Sequence, residues 1–340
     1  MKRKPSQKDI VIHVGYPKSA STTLQKHLFN KHPEIYNLGL FPTANIGRDS
    51  DYIDESCEYL SNPNLRKFYD NLVMLESVEY DNSNQEKLYE NHIENLLENS
   101  EEKVTVFSNE RFVSVFYAHD DLGIKAERLK EIFPDAKILF VLRSQIDLIK
   151  SQYRDHPFDP RSFAIGKPLS IDEWIQVALE AEEVHFLESL RYSDVIGYYA
   201  DLFGEEDIGV FLLEDLAQNT EGFAKDVSEF LNIGAKETLS LLQEESENKG
   251  VSSHFNTYRR LKRWFLSTVK IGKLFPEFLK KTFKEGERYI SNLAKRGGEK
   301  EKLELSAEST NLLQEFYSDS NLNLEKRYCS QIDKYDYPTD

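Results

Sequence analysis

Four short apolar runs constrain this chain most: IVIHVG (10–15), VTVFS (104–108), KILFVL (137–142) and IGVFLL (208–213). They are rich in β-branched residues and do not alternate with polar ones, the pattern of strands buried on both faces. Helical periodicity fills the spaces between them, over 22–31, 86–98, 122–133, 145–154, 171–187, 190–203 and 222–231. Strand, helix, strand in repetition predicts an α/β fold with a parallel central sheet and helices on both faces. Segment 43–85 is weakly patterned and rich in Asn, Asp and Tyr; it reads as an irregular insertion. Beyond 254 a basic amphipathic stretch, YRRLKRWFLSTVKIGKLFPEFLKKTFK, precedes a helical pattern, LSAESTNLLQEFYSDSNLNLEKRY. The predicted organisation is an α/β domain over 8–253 and a helical C-terminal extension over 254–340.

Bulk properties exclude several classes. No stretch of the 340 residues approaches the ~20 apolar positions of a membrane span. The basic start, MKRKPSQKDIVIHVG, runs into a strand pattern and lacks the apolar core of a signal peptide. Two distant cysteines, Cys57 and Cys329, form no disulfide framework. The eight histidines show no metal-ligand spacing, so no metal is expected. These features suit a cytoplasmic protein. With 43 Lys and Arg against 59 Asp and Glu, the net charge is −16. Such a surface repels nucleic acid, so an anionic ligand needs a local basic cleft.

One turn has that character. Residues 14–24, VGYPKSASTTL, lead from the first strand into the first helix. Lys18 is followed by five small residues, Ser19, Ala20, Ser21, Thr22 and Thr23. A helix N-terminus leaves N–H groups unpaired and carries partial positive charge. With a lysine and several hydroxyls it makes a cradle for a phosphate-like group. The Walker order G-x-x-x-x-G-K-[ST] is absent, because Lys18 precedes the small residues.

The order Pro-Lys-Ser-x-x-Thr-Thr resembles the 5′-phosphosulfate loop of sulfotransferases that use 3′-phosphoadenosine 5′-phosphosulfate (PAPS). Ala20 stands where that family usually has Gly. A second element, FVLRSQIDLIKSQY (140–153), resembles the family's 3′-phosphate element, R-x-P-x-D-x-x-x-S-x-Y. Arg143, Asp147, Ser151 and Tyr153 match it, and Gln145 replaces the Pro. HPEIYNLG, RLKEIFPDAKILFVLR, YSDVIGYYADLFGEEDIGVFLLEDL and EFLNIG also resemble bacterial glycan-type members.

The resemblance implies a three-layer sandwich of the P-loop NTPase type around a central parallel sheet. It implies sulfuryl transfer from PAPS to a hydroxyl, with a carbohydrate or glycoconjugate as acceptor. Lys18 would stabilise the bridging and sulfuryl oxygens, a role worth on the order of 100-fold or more. Arg143 and Ser151 would hold the 3′-phosphate, joined by Lys249 and Gly250 of ENKGVSSH (247–254) unless that stretch is only an exposed linker.

The acceptor hydroxyl needs a base. Glu110, in VTVFSNERF at the end of a predicted strand, stands where the family carries one; the alternative is a pairing with Arg111 or a capping role. Glu34 and His156 are the next candidates, whereas His119 and His254 read as surface residues. The 258–284 stretch has nine Lys or Arg and one acid, Glu277. Packing on the domain is its simpler reading; Trp264, Phe265 and Leu266 keep peripheral membrane contact open. Two other functions remain open: a P-loop nucleotide kinase or hydrolase, and a non-catalytic nucleotide-binding protein. The acceptor's identity and the oligomeric state are not encoded in any motif.

Overall fold

A computed structural model describes residues 9–40, 63–114, 121–155, 169–181, 185–243, 303–329 and 332–339. The expectations for Lys249, Gly250, His156, His119, His254, Cys57 and the basic 258–284 stretch lie outside these residues. The chain divides into two compact units. One comprises Met1–Arg143, Ser189–Ser246 and Ser320–Asp336, the other Ser144–Glu188, Glu247–Asp319 and Tyr337–Asp340.

The first unit holds a five-stranded sheet in the order β2-β3-β1-β4-β5. β1 is Asp9–Gly15, β2 Ile35–Leu40, β3 Val104–Ser108, β4 Lys137–Leu142 and β5 Ile208–Leu212. Every pairing is parallel. The four apolar runs form strands; all of Val104–Ser108 and all of β4 but Lys137 are buried, whereas β5, at the sheet edge, buries only Gly209 and Leu212.

One sheet face presents Val11, Val104, Val106, Leu139 and Val141 to Leu24, Leu28 and Phe29 of α1 and to Phe223, Val227 and Leu231 of α2. α1 runs Ser21–Thr23 and continues as a π-helical segment over Leu24–Phe29; α2 is Thr220–Leu231. On the other face Phe107 meets Phe133 (ring centroids 4.9 Å) and Tyr69 (5.2 Å), and Phe140 meets Tyr199 edge-on (5.3 Å). Helices thus flank a parallel sheet on both sides, the three-layer α/β architecture expected.

Three local expectations are corrected. IYNLGL is a fifth strand, β2, at the sheet edge, where Asn37 and Gly39 interrupt the apolar signal that central strands show. Within 43–85, Pro63–Met74 is a helix rather than irregular chain, burying Leu65, Phe68, Tyr69, Leu72 and Val73. The helix starting at Ile171 ends at Glu180, short of 187, because Ala181 turns extended (φ −90°, ψ 106°).

The second unit contains helices Gln145–Asp155 and Ile171–Glu180 and the start of Ala307–Arg327. Ser170 and Glu173 form a reciprocal capping box at the second of these. Trp174 packs against Phe186 (5.9 Å) and Tyr153 (6.5 Å). Ser306 N donates to Asp172 Oδ1 (3.0 Å), fixing the start of the closing helix. From Ser320 that helix belongs to the first unit, where Ser320 Oγ accepts from Ser193 N (3.2 Å). Among the described residues, no helix is long and apolar enough to cross a membrane.

Candidate functional site

Because the sheet is parallel, β3, β1 and β4 end side by side on one edge. The chain leaves β1 toward β3 and β2 but later adds β4 and β5 on the opposite side. This reversal opens a crevice at the strands' carboxyl ends. Residues 16–20 follow β1, 109–114 follow β3, and Arg143 follows β4.

The first turn is sharply shaped. Gly15 has φ 139°, and a Cβ there would lie 2.6 Å from Val113 Cγ2, so only glycine lets the turn after β3 pack this closely on the end of β1. Lys18 (φ 68°) and Ala20 (φ 61°) are both left-handed. The position where the resembling family carries Gly does adopt a glycine-type conformation, occupied here by an alanine. Ser19 N and Ser21 Oγ both donate to the Tyr16 carbonyl, at 3.3 and 3.0 Å.

Ala20 is the N-cap of α1 and has no side chain to cap it. Ser19 Oγ is buried and has no hydrogen-bond partner among the described residues. An unmade bond of this kind costs about 1–3 kcal/mol. A ligand oxygen beside the helix start would satisfy it, so the turn fits a phosphosulfate. Lys18 and Thr22 are exposed at the same turn, with Thr23 half-buried.

Glu110 joins this turn. Burial pushes its carboxyl above the ordinary carboxylate range, while the neighbouring Ser21 hydroxyl and the Lys18 charge pull it down. Asn109 N donates to the His13 carbonyl (2.9 Å), anchoring the turn after β3 to β1. Beneath lies a buried polar link: Gln25 Nε2 donates to Ser108 Oγ (2.8 Å), and Ser108 Oγ lies 2.7 Å from His13 Nδ1. Burial pushes His13 down to about 3, so it is neutral. The link ties α1 to the ends of β1 and β3.

Arg143 closes the other side. Its Nη1 donates to the Lys18 carbonyl at 3.3 Å. Tyr192 OH donates to the Arg143 carbonyl (2.7 Å) while its ring meets Tyr16 edge-on at 4.7 Å. One side chain therefore braces both the Arg143 strand end and the Lys18 turn.

Lys18, Ser19, Ala20, Ser21, Thr22, Thr23, Glu110 and Arg143 thus come together. Ser151, half-buried on Gln145–Asp155, belongs to the second unit. Glu34 is elsewhere: it precedes β2, and with Lys103, which precedes β3, it sits on the opposite sheet edge. Its carboxylate pairs with Lys103 and accepts from Gly234 N (2.6 Å). Those two bonds hold it below the ordinary carboxylate range. Glu34 is a structural tie there, not a base for this site. Sequence reading missed Tyr16, Tyr192, His13, Gln25 and Lys125, although Lys125 shows as a cation on the buried stripe of its helix, with Ala126, Leu129 and Ile132.

No family model matches the chain, and no curated protein does. Among solved structures it is similar to a sulfotransferase from Alicyclobacillus acidocaldarius (16% identity, TM-score 0.47, covering 94% of this chain and 96% of that one). It is also similar to sulfotransferase STF9 from Mycobacterium avium (13%, 0.43, 82% and 77%). A third is mouse sulfotransferase SULT7A1 complexed with PAP (13%, 0.38, 92% and 90%). At these scores the likenesses carry no functional conclusion, which has to come from the site's own residues.

Proposed function

We propose that this chain is a sulfotransferase that moves a sulfuryl group from PAPS to a hydroxyl of a carbohydrate or glycoconjugate. The observation that carries the reading is the convergence of Lys18, Glu110 and Arg143. Arg143 reaches the Lys18 carbonyl (3.3 Å), and Glu110 lies beside Ser21 in the charge field of Lys18. A cation, an anion-binding helix start, a half-buried carboxyl and a second cation then line one crevice.

PAPS, when bound, supplies an activated sulfuryl group on a good leaving group. Ser19, Ser21 and the helix start would hold its 5′ end, and Arg143 its 3′-phosphate. Lys18 would place positive charge where the bridging oxygen gains negative charge. Glu110 would take the acceptor's hydroxyl proton as the new S–O bond forms and the bridging S–O bond breaks. Its burial serves that role, since a base works best with its pKa near the operating pH. The proposed steps use no metal.

The test is Glu110→Gln, assayed for PAP release from PAPS with a panel of saccharides and p-nitrophenyl glycosides. Turnover is expected to fall by about 100-fold or more with PAP affinity nearly intact. Unchanged turnover would remove Glu110 as the base.

A further inference from the structure

Lys125 lies on the helix Leu122–Ile132 with only 4% of its surface exposed. A buried ammonium is costly unless its protons find acceptors. Lys125 Nζ donates to two backbone carbonyls, Arg111 O (3.1 Å) and Ser114 O (3.3 Å). These bracket the chain just after Glu110. Ser114 Oγ donates to the Glu110 carbonyl (2.5 Å), and Asn109 Oδ1 accepts from Arg111 N (2.9 Å). The stretch contains a single 3₁₀ turn, Glu110–Phe112, so side-chain bonds carry much of its shape. An apolar residue would fill the Lys125 position at lower cost, as Ala126, Leu129 and Ile132 do nearby. What the ammonium adds is its grip on the turn.

We propose that Lys125 is a positioning residue for Glu110, fixing the 111–114 backbone so that the Glu110 carboxyl stays seated against Ser21 and Lys18. The inference rests on Glu110 being the base. Lys125 touches no reacting atom and acts through the turn.

The test compares the full chain with Lys125→Met, and with Lys125→Gln should the Met variant not fold. Two quantities are read: the Glu110 carboxyl titration by ¹³C NMR, assigned by its loss in Glu110→Gln, and PAP affinity by calorimetry. Releasing the turn should let water reach Glu110, raising its proton-dissociation constant at least about threefold. PAP affinity should stay within about threefold. An unmoved titration would overturn the inference, as would PAP affinity lost tenfold or more together with the titration change, since that marks a general structural role. Failure of the parent reading looks different: Glu110→Gln would then leave turnover intact, or the wild-type chain would not bind PAP.

Discussion

Ala20 is a left-handed L-residue at the mouth of the proposed site. That conformation costs roughly 1–2 kcal/mol. Glycine would remove the cost but would add about 0.4–1 kcal/mol of unfolded-chain entropy. Ala20→Gly should therefore raise the urea midpoint with an unchanged slope, a gain in unfolding free energy of up to about 1.6 kcal/mol; a lower midpoint would contradict the assigned backbone. Glu110 gives a second residue-scale expectation. Burial holds its folded pKa above the unfolded value. Its stabilising contribution is therefore full below the ordinary carboxylate range and is lost as pH rises through the raised value. Glu110→Gln mimics the protonated form, so it should raise Tm at neutral pH, with the gain shrinking as pH is lowered. A lower Tm at neutral pH would mean that the Ser21 bond and the Lys18 charge outweigh burial.

At the scale of elements, β1, β3 and β4 were legible because strands buried on both faces must be continuously apolar, and β5, an edge strand with only Gly209 and Leu212 buried, because it carries no polar residue. β2 was not, since an edge strand tolerates Asn37 and Gly39. That miss had a consequence for the site. With β2 unseen, Glu34 stood as a candidate base, whereas it introduces a strand and so belongs to the opposite sheet edge. The helix at 63–74 was missed: Leu65, Phe68, Tyr69, Leu72 and Val73 form a helical stripe, but it was averaged away over an Asn- and Asp-rich segment. The corrected location of Glu34 carries its own expectation. Its carboxylate meets Gly234 N at the start of Ala235–Gln243, where a negative charge is worth about 0.3–1 kcal/mol. Glu34→Gln should cost about that in stability and leave turnover within about twofold; a 100-fold loss of turnover would return Glu34 to the candidate bases.

For the molecule as a whole, a surface of net charge −16 must concentrate cations to bind an anion. Parallel strand order does this by delivering Lys18 and Arg143 to neighbouring exits of one sheet. Both were readable from sequence because each lies within three residues of a strand end. The tyrosine brace was not, since Tyr192 lies 49 residues from Arg143 and nothing local announces that contact. The central claim is that these two exits grip one nucleotide at both phosphorylated positions. Calorimetry of the wild-type chain and Arg143→Ala, each titrated with 3′-phosphoadenosine 5′-phosphate and with adenosine 5′-phosphate, tests it directly. Removing the guanidinium should weaken the bisphosphate by about 10- to 100-fold, the worth of a charge-assisted bond, and hardly change the monophosphate; equal losses for the two, or no binding of the bisphosphate by the wild-type chain, would contradict it.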